Sequence, residues 1–273
     1  MVISKRKTYL ISILSCVGVG IVGIIFLYAL NFSLIIKAFR DYEGALEVVL
    51  VISIRILILS ITTIYLLRKW FKQEAQYLSD IPFLLSLFFL ILIFGKAVDL
   101  FWDLTYFTFN DIVVLLLLKV RYFIIICEVA PLVYLGFEII FFRLEDKYVK
   151  LKDKKFMNKL RVRLIIFIFS GESVVIFSIP NVTMLARTLP IILIPSLVGI
   201  VYIFYLAYRL NRLSVVKPKI LTIGFLLYMF SNIFRPLMQS ILGENSAYII
   251  LVESVDLLIF IIIFIGLYKK NSS

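Results

Sequence analysis

Ten side chains of this 273-residue chain have the chemistry to bind a ligand or relay charge, yet lie in stretches rich in Ile, Leu, Val and Phe. They are Arg55, Lys96, Asp99, Glu128, Glu172, Asn232, Arg235, Gln239, Glu253 and Asp256. An ionisable group in the middle of a bilayer costs about 2.5–3.5 kcal/mol on insertion scales unless it faces protein or water. These residues are therefore the candidate ligand- or ion-binding set.

Their spacing groups them. Lys96, Asp99 and Asp103 follow an i, i+3, i+7 pattern, which makes one polar stripe on a helix. Glu253 and Asp256, three apart, share a face, and Asn232 and Gln239 extend the face of Arg235. The last two apolar runs are joined by a short turn, so they are expected to be antiparallel neighbours. Arg235 and Glu253 then both sit about 9 Å from that turn at 1.5 Å per residue, and Arg235 is predicted to pair with Glu253 or Asp256. Arg121 lies seven residues before Glu128, on nearly the same face. Pro131, Pro190, Pro195 and Pro236 fall inside apolar runs, where proline frees a carbonyl and kinks the helix.

Other chemistry is excluded. The chain has no histidine, so Ser-His-Asp and Cys-His nucleophile systems and His-ligated metals are ruled out. Cys16 and Cys127 are too few for a thiolate metal site and imply no disulfide framework. No phosphate-binding loop or nucleophile motif is present. The chain is not expected to be an enzyme or to hold a cofactor or metal.

Long apolar segments have to position the charged set. Hydrophobic residues make up 63% of the chain and charged ones 17%, against about 45–50% and 25% in globular domains. The mean hydropathy is +1.08. A soluble fold of this size has too little interior for that composition. The fold class expected is an all-α, polytopic integral membrane helix bundle forming a single transmembrane domain over 1–273. A helical span needs about 20 apolar residues. Eight such runs occur, near 9–35, 45–67, 82–103, 112–142, 162–180, 188–208, 219–241 and 247–268. The fourth is too long for one perpendicular span and is expected to protrude, tilt or begin at the interface.

Basic residues set the orientation, because Lys and Arg accumulate in short cytoplasmic loops. Most of the 29 fall in five segments: the N-terminus (Lys5, Arg6, Lys7), Arg68–Lys69–Lys72, the stretch 143–163, Arg209–Arg212–Lys217–Lys219, and Lys269–Lys270. With eight spans all five face one side, which places both termini in the cytoplasm of a multi-pass cell-membrane protein. The first run is longer than a signal peptide core and is read as a retained anchor. Aromatic residues mark the interfaces, with Phe101, Trp102, Tyr106, Phe107 and Phe109 on the outer side and Trp70 and Phe71 on the inner.

Apart from Glu138, the intramembrane charges fall in the outer and middle layers, which points to an outward polar pocket. The reading that follows is a small-ligand sensor or receptor signalling through a separate cytoplasmic partner, with 143–163 as the docking segment. Two alternatives remain open at this level. One is a small-solute or ion transporter using buried carboxylates, and the other is a membrane scaffold whose ion pairs are structural. The expected partners are the lipid bilayer, a small ligand or ion from the outer side and a cytoplasmic protein. Nucleic acid is not expected, since orientation accounts for the +12 net charge.

Overall fold

A computed structural model describes residues 2–105, 108–145, 147–209, 216–243 and 245–268. Arg212, Lys269 and Lys270 of the basic segments, and Tyr106 and Phe107 of the aromatic group, lie outside the described residues. Among the described residues the chain is helical throughout, with no strand. The helices are α1 (Val2–Leu30), α2 (Phe32–Asp41), α3 (Ala45–Phe71), α4 (Ile81–Thr105), α5 (Asp111–Leu144), α6 (Lys154–Ser178), α7 (Val182–Arg209), α8 (Pro218–Leu242) and α9 (Ser246–Tyr268). A short 3-10 turn, Val149–Lys152, precedes α6.

Local chemistry sets the ends. Asn110 accepts a hydrogen bond from the Val113 amide at the start of α5, 3.0 Å. Asn181 and Asn245 do the same for Met184 and Tyr248 at the starts of α7 and α9, both 2.8 Å. Each satisfies an amide that has no partner inside its helix. Pro218 opens α8, where its missing N–H costs nothing. Gly44 (φ 82°) and Gly243 (φ 75°) take the left-handed backbone needed to turn into α3 and out of α8. In the loop from α3 to α4, the Asp80 carboxylate accepts from the Tyr77 amide (2.9 Å) and from Trp70 Nε1 (3.1 Å).

Several boundaries differ from the sequence expectation: α6 begins at Lys154 rather than near 162 and α7 at Val182 rather than near 188, and the end of the first run changes the architecture. The first apolar run is predicted over 9–35, but α1 stops at Leu30. The Asn31 side-chain amide donates to the Leu27 carbonyl (2.8 Å) and closes that helix. The following residues form a separate amphipathic helix, α2. It buries Ile35 and Ala38 while Lys37 and Arg40 stay exposed, a polarity suited to lying along an interface rather than crossing it.

Among the described residues six helices are long and apolar enough to cross a membrane: α1, α3, α4, α7, α8 and α9. The 34-residue α5 and 25-residue α6 have the length but carry more charge, including Lys119, Arg121, Glu128 and Glu138 on α5 and Arg161, Arg163 and Glu172 on α6. The long fourth run is thus one continuous helix, Pro131 included.

Helix packing forms a closed ring. α3 packs on α4, α4 on α5, α5 on α7, α7 on α8, α8 on α9, and α9 back on α3. α6 lies outside, against α5, and α1 and α2 lie against α4. Arg161 ties α6 down by an ion pair to Glu138 (2.9 Å), with its guanidinium 4.7 Å from the Tyr134 ring centre. Inside the ring, apolar side chains fill the half toward the α3–α4 loop. There Leu59, Leu66, Phe88, Phe225, Phe260 and Ile263 are all fully buried. The charged residues fill the other half, toward the α4–α5 and α8–α9 turns, here termed the site end.

Gly136 marks the closest approach of α5 to α7, since a Cβ there would meet Ile203. Gly171 on α6 has nothing within 4 Å of such a position. Gly136→Leu is expected to cost about 1–3 kcal/mol through overpacking and to lower the melting temperature in detergent. Gly171→Leu should leave it unchanged.

Candidate functional site

Five of the six ring helices send charged side chains into the interior. Arg55 comes from α3, Lys96 and Asp99 from α4, Arg121 from α5, Arg235 from α8, and Glu253 and Asp256 from α9. Each sits where its helix presents it inward: Lys96 and Asp99 are one turn apart on α4, as are Glu253 and Asp256 on α9. Counted from the site end, Arg235, Asp99 and Glu253 lie about 9–10 Å down and Lys96, Arg55 and Asp256 about 13–15 Å down. The charges therefore share one zone, about 9–15 Å from the site end.

Within that zone the groups form a continuous chain of ion pairs. Glu253 accepts from three cations. Arg55 Nη1 pairs with its Oε2, while Lys96 Nζ (3.0 Å) and Arg235 Nη2 (3.2 Å) meet its Oε1. Asp256 is held by Arg55 Nη1 at 2.9 Å, by Arg235 Nη2, and by the Ser231 hydroxyl at 2.5 Å. Lys96 also reaches Asp99, 2.8 Å, and Asp99 in turn pairs with Arg121 Nε. The pairing predicted for Arg235 is thus present with both carboxylates.

Burial divides the network. The side chains of Arg55 and Asp256 are 1% and 0% exposed, whereas those of Arg121 and Arg235 are 25% and 22% exposed. The deep members lock helices together. The shallow ones line a cavity of about 110 Å³ at the site end. Its polar wall is Asp99, Asp103, Arg121, Arg235, Gln239 and Glu253. Trp102, Tyr248, Ile249 and Val252 supply the rest. The Tyr248 hydroxyl donates to the Arg235 carbonyl, 3.2 Å, and the Tyr28 hydroxyl of α1 donates to the Ala97 carbonyl, 2.8 Å.

Beneath the network the ring is closed by aromatic side chains. The Arg55 guanidinium lies 4.9 Å from the Phe260 ring centre, a cation–π geometry. Phe260 packs on Phe89, Phe89 on Phe88, and Phe88 on Phe225, which stacks on Phe204 with ring centres 4.7 Å apart. Polar groups therefore occupy one end of the interior and hydrocarbon the other.

Of the ten candidates, Arg55, Lys96, Asp99, Arg235, Glu253 and Asp256 meet in the network, and Gln239 lines the cavity beside it. Glu128 is buried in the ring interior at 5% exposure and makes no hydrogen bond or ion pair among the described residues. Asn232 does not join the set, because its amide donates to the Tyr228 carbonyl of its own helix, 2.8 Å. Glu172 is elsewhere. It lines an apolar groove of about 300 Å³ between α5, α6 and α7, outside the ring. Sequence reasoning did not select Arg121, Asp103 or Ser231 as site residues. Arg121 shares nearly one face with Glu128 on its own helix, but it pairs with Asp99 of the neighbouring helix. For Asp103, the seven-residue stripe with Lys96 and Asp99 was the available signal.

Comparisons with protein-family models, with curated proteins and with solved structures gave no match.

Breaking a buried pair by removing one partner costs about 3–5 kcal/mol, since it strands the remaining charge. Arg55→Met removes the most deeply buried cation from Glu253 and Asp256, which keep Lys96 and Arg235, and is expected to fall at the lower end of that range by detergent unfolding. Arg121→Met, at the solvated rim, should cost about 1 kcal/mol or less. Equal losses for the two would contradict the division into a deep and a shallow layer.

Proposed function

We propose that this protein is a multi-pass cell-membrane sensor that binds a small polar ligand in the outward pocket at the site end. In this reading it spans the membrane eight times with both termini cytoplasmic, α5 and α6 being the two additional spans. The site end then faces outward, and the basic stretch 143–163 faces a cytoplasmic protein that carries the signal. The protein is not an enzyme.

The observation that carries the reading is a half-solvated charged pocket continuous with a fully buried ion-pair network. Arg121 and Arg235 face the pocket with one edge and hold network carboxylates with another. A ligand drawing on either arginine competes with Asp99 or Glu253, and those carboxylates also hold α3 and α4 through Arg55 and Lys96. That is the differential contact a ligand needs to shift a conformational equilibrium. Part of the charge of α5 and α6 is compatible with spanning, because Arg121, Glu128 and Arg161 are turned toward protein.

A transporter is the second reading, favoured by the buried and unpartnered Glu128, the kind of carboxyl that carries a proton or cation. The aromatic closure from Phe260 to Phe204 opposes it, since it fills the path a solute would take. Purified protein in liposomes should show no proton, Na⁺ or K⁺ flux above empty vesicles. A flux abolished by Glu128→Gln would favour transport instead. For the topology, tags at both termini and within 143–163 should be accessible in cells only after permeabilisation. A tag in 143–163 exposed on intact cells would overturn the eight-span arrangement.

A further inference from the structure

We infer that the pocket takes a small zwitterion, a molecule of the amino-acid class with a carboxylate and an ammonium a few atoms apart. This rests on the ligand-binding reading of the same pocket and names its ligand chemistry.

The pocket separates charge. Arg121 is ion-paired with Asp99 through Nε, and Arg235 with both Glu253 and Asp256 through one terminal nitrogen. A guanidinium carries five N–H donors in a planar fork, so each keeps donors beyond those already engaged. Both side chains reach the cavity from different helices, α5 and α8. A carboxylate is the acceptor this fork geometry suits best. Asp103 lines the same cavity, half-buried, and makes no ion pair among the described residues. It is the acceptor left for an ammonium.

The charge balance narrows the class. Four cations (Arg55, Lys96, Arg121 and Arg235) are ion-paired with three carboxylates (Asp99, Glu253 and Asp256). Counting Asp103 makes four carboxylates against four cations at the network and pocket, with the carboxyl of Glu128 apart in the ring interior. A ligand with equal and separated charges preserves that balance. A bare amine would meet two guanidiniums, and a phosphate would meet three wall carboxylates, in a setting where charges are weakly screened. Volume sets the scale. An apolar cavity of about 150 Å³ holds benzene, so one of about 110 Å³ scales to a molecule of roughly four or five heavy atoms, the size of glycine. The aliphatic body would lie against Ile249 and Val252, with aromatic surface from Trp102 and Tyr248.

The test is calorimetric titration and thermal melting of the full-length protein in detergent. The probes are glycine, L-alanine, L-serine, β-alanine and 4-aminobutyrate, compared with propionate, ethylamine and inorganic phosphate. At least one zwitterion should bind saturably, and the single-charge compounds should not. Asp103→Asn removes no direct ion pair and should still melt cooperatively. It should weaken zwitterion binding on the order of tenfold, the loss of one charge-assisted hydrogen bond. Arg235→Lys, which keeps the charge but loses the fork, should weaken it as well. Saturable binding of propionate, ethylamine or phosphate with the zwitterions silent would overturn the ligand class but keep the pocket as a binding site. Zwitterion binding indifferent to both variants would place the ligand elsewhere and overturn the inference. Silence of every probe would count against both the inference and the sensor reading.

Discussion

A charge taken out of water has to find a partner within a few ångströms, and Glu253 meets that demand for three cations at once. Arg55, Lys96 and Arg235 arrive from α3, α4 and α8 and converge on this one carboxylate of α9. Their convergence fixes how those four helices are rotated against each other. Asp99 carries the network on to α5 through Arg121, so among the described residues α7 is the ring helix that contributes no member to it. Well-packed apolar residues could hold such a bundle at equal or lower cost. The ion pairs add a single register and a polar surface where the ring meets water.

How far this was legible in the sequence depended on distance along the chain. The pairing of Arg235 follows from one short turn and the i, i+3 spacing of Glu253 and Asp256, both local features. The Lys96–Asp99 contact is likewise one helical turn. The claims of Arg55 and Lys96 on Glu253 are different, because the partners are 198 and 157 residues apart. No local pattern says that α9 closes the ring onto α3. Glu172 shows the same limit. In the sequence its helix reads as one more apolar run, 162–180, but α7 takes the place against α5 inside the ring and leaves α6 outside. The end of α1 was hidden for another reason. Apolar residues run on past Asn31 to Ile36, and the break rests on one amide bonding back to Leu27.

The two halves of the interior differ in what they permit. At the site end, partly hydrated arginines keep donors free for exchange, so the cavity can take a polar guest without opening the bundle. A few ångströms deeper, Arg55 rests on Phe260, and stacked phenylalanines occupy the volume down to the α3–α4 loop. Displacement at Arg121 or Arg235 would be passed through Asp99, Lys96 and Glu253 to α3 and α4 rather than along an open path. That arrangement suits detection at one face with a response carried by helix movement, in keeping with shifts between discrete packed arrangements. It suits continuous conduction poorly.

Cysteine accessibility along α9 tests this asymmetry most directly. Single cysteines at Val252, Ile259 and Ile263, in a background with Cys16 and Cys127 replaced, would be challenged with a membrane-impermeant thiol reagent on each side of sealed vesicles. The account predicts that Val252→Cys, on the cavity wall, reacts from the outer side alone, and that Ile259→Cys and Ile263→Cys, within the apolar half, react from neither. Labelling of Ile259→Cys or Ile263→Cys from the inner side, with Val252→Cys silent, would contradict it.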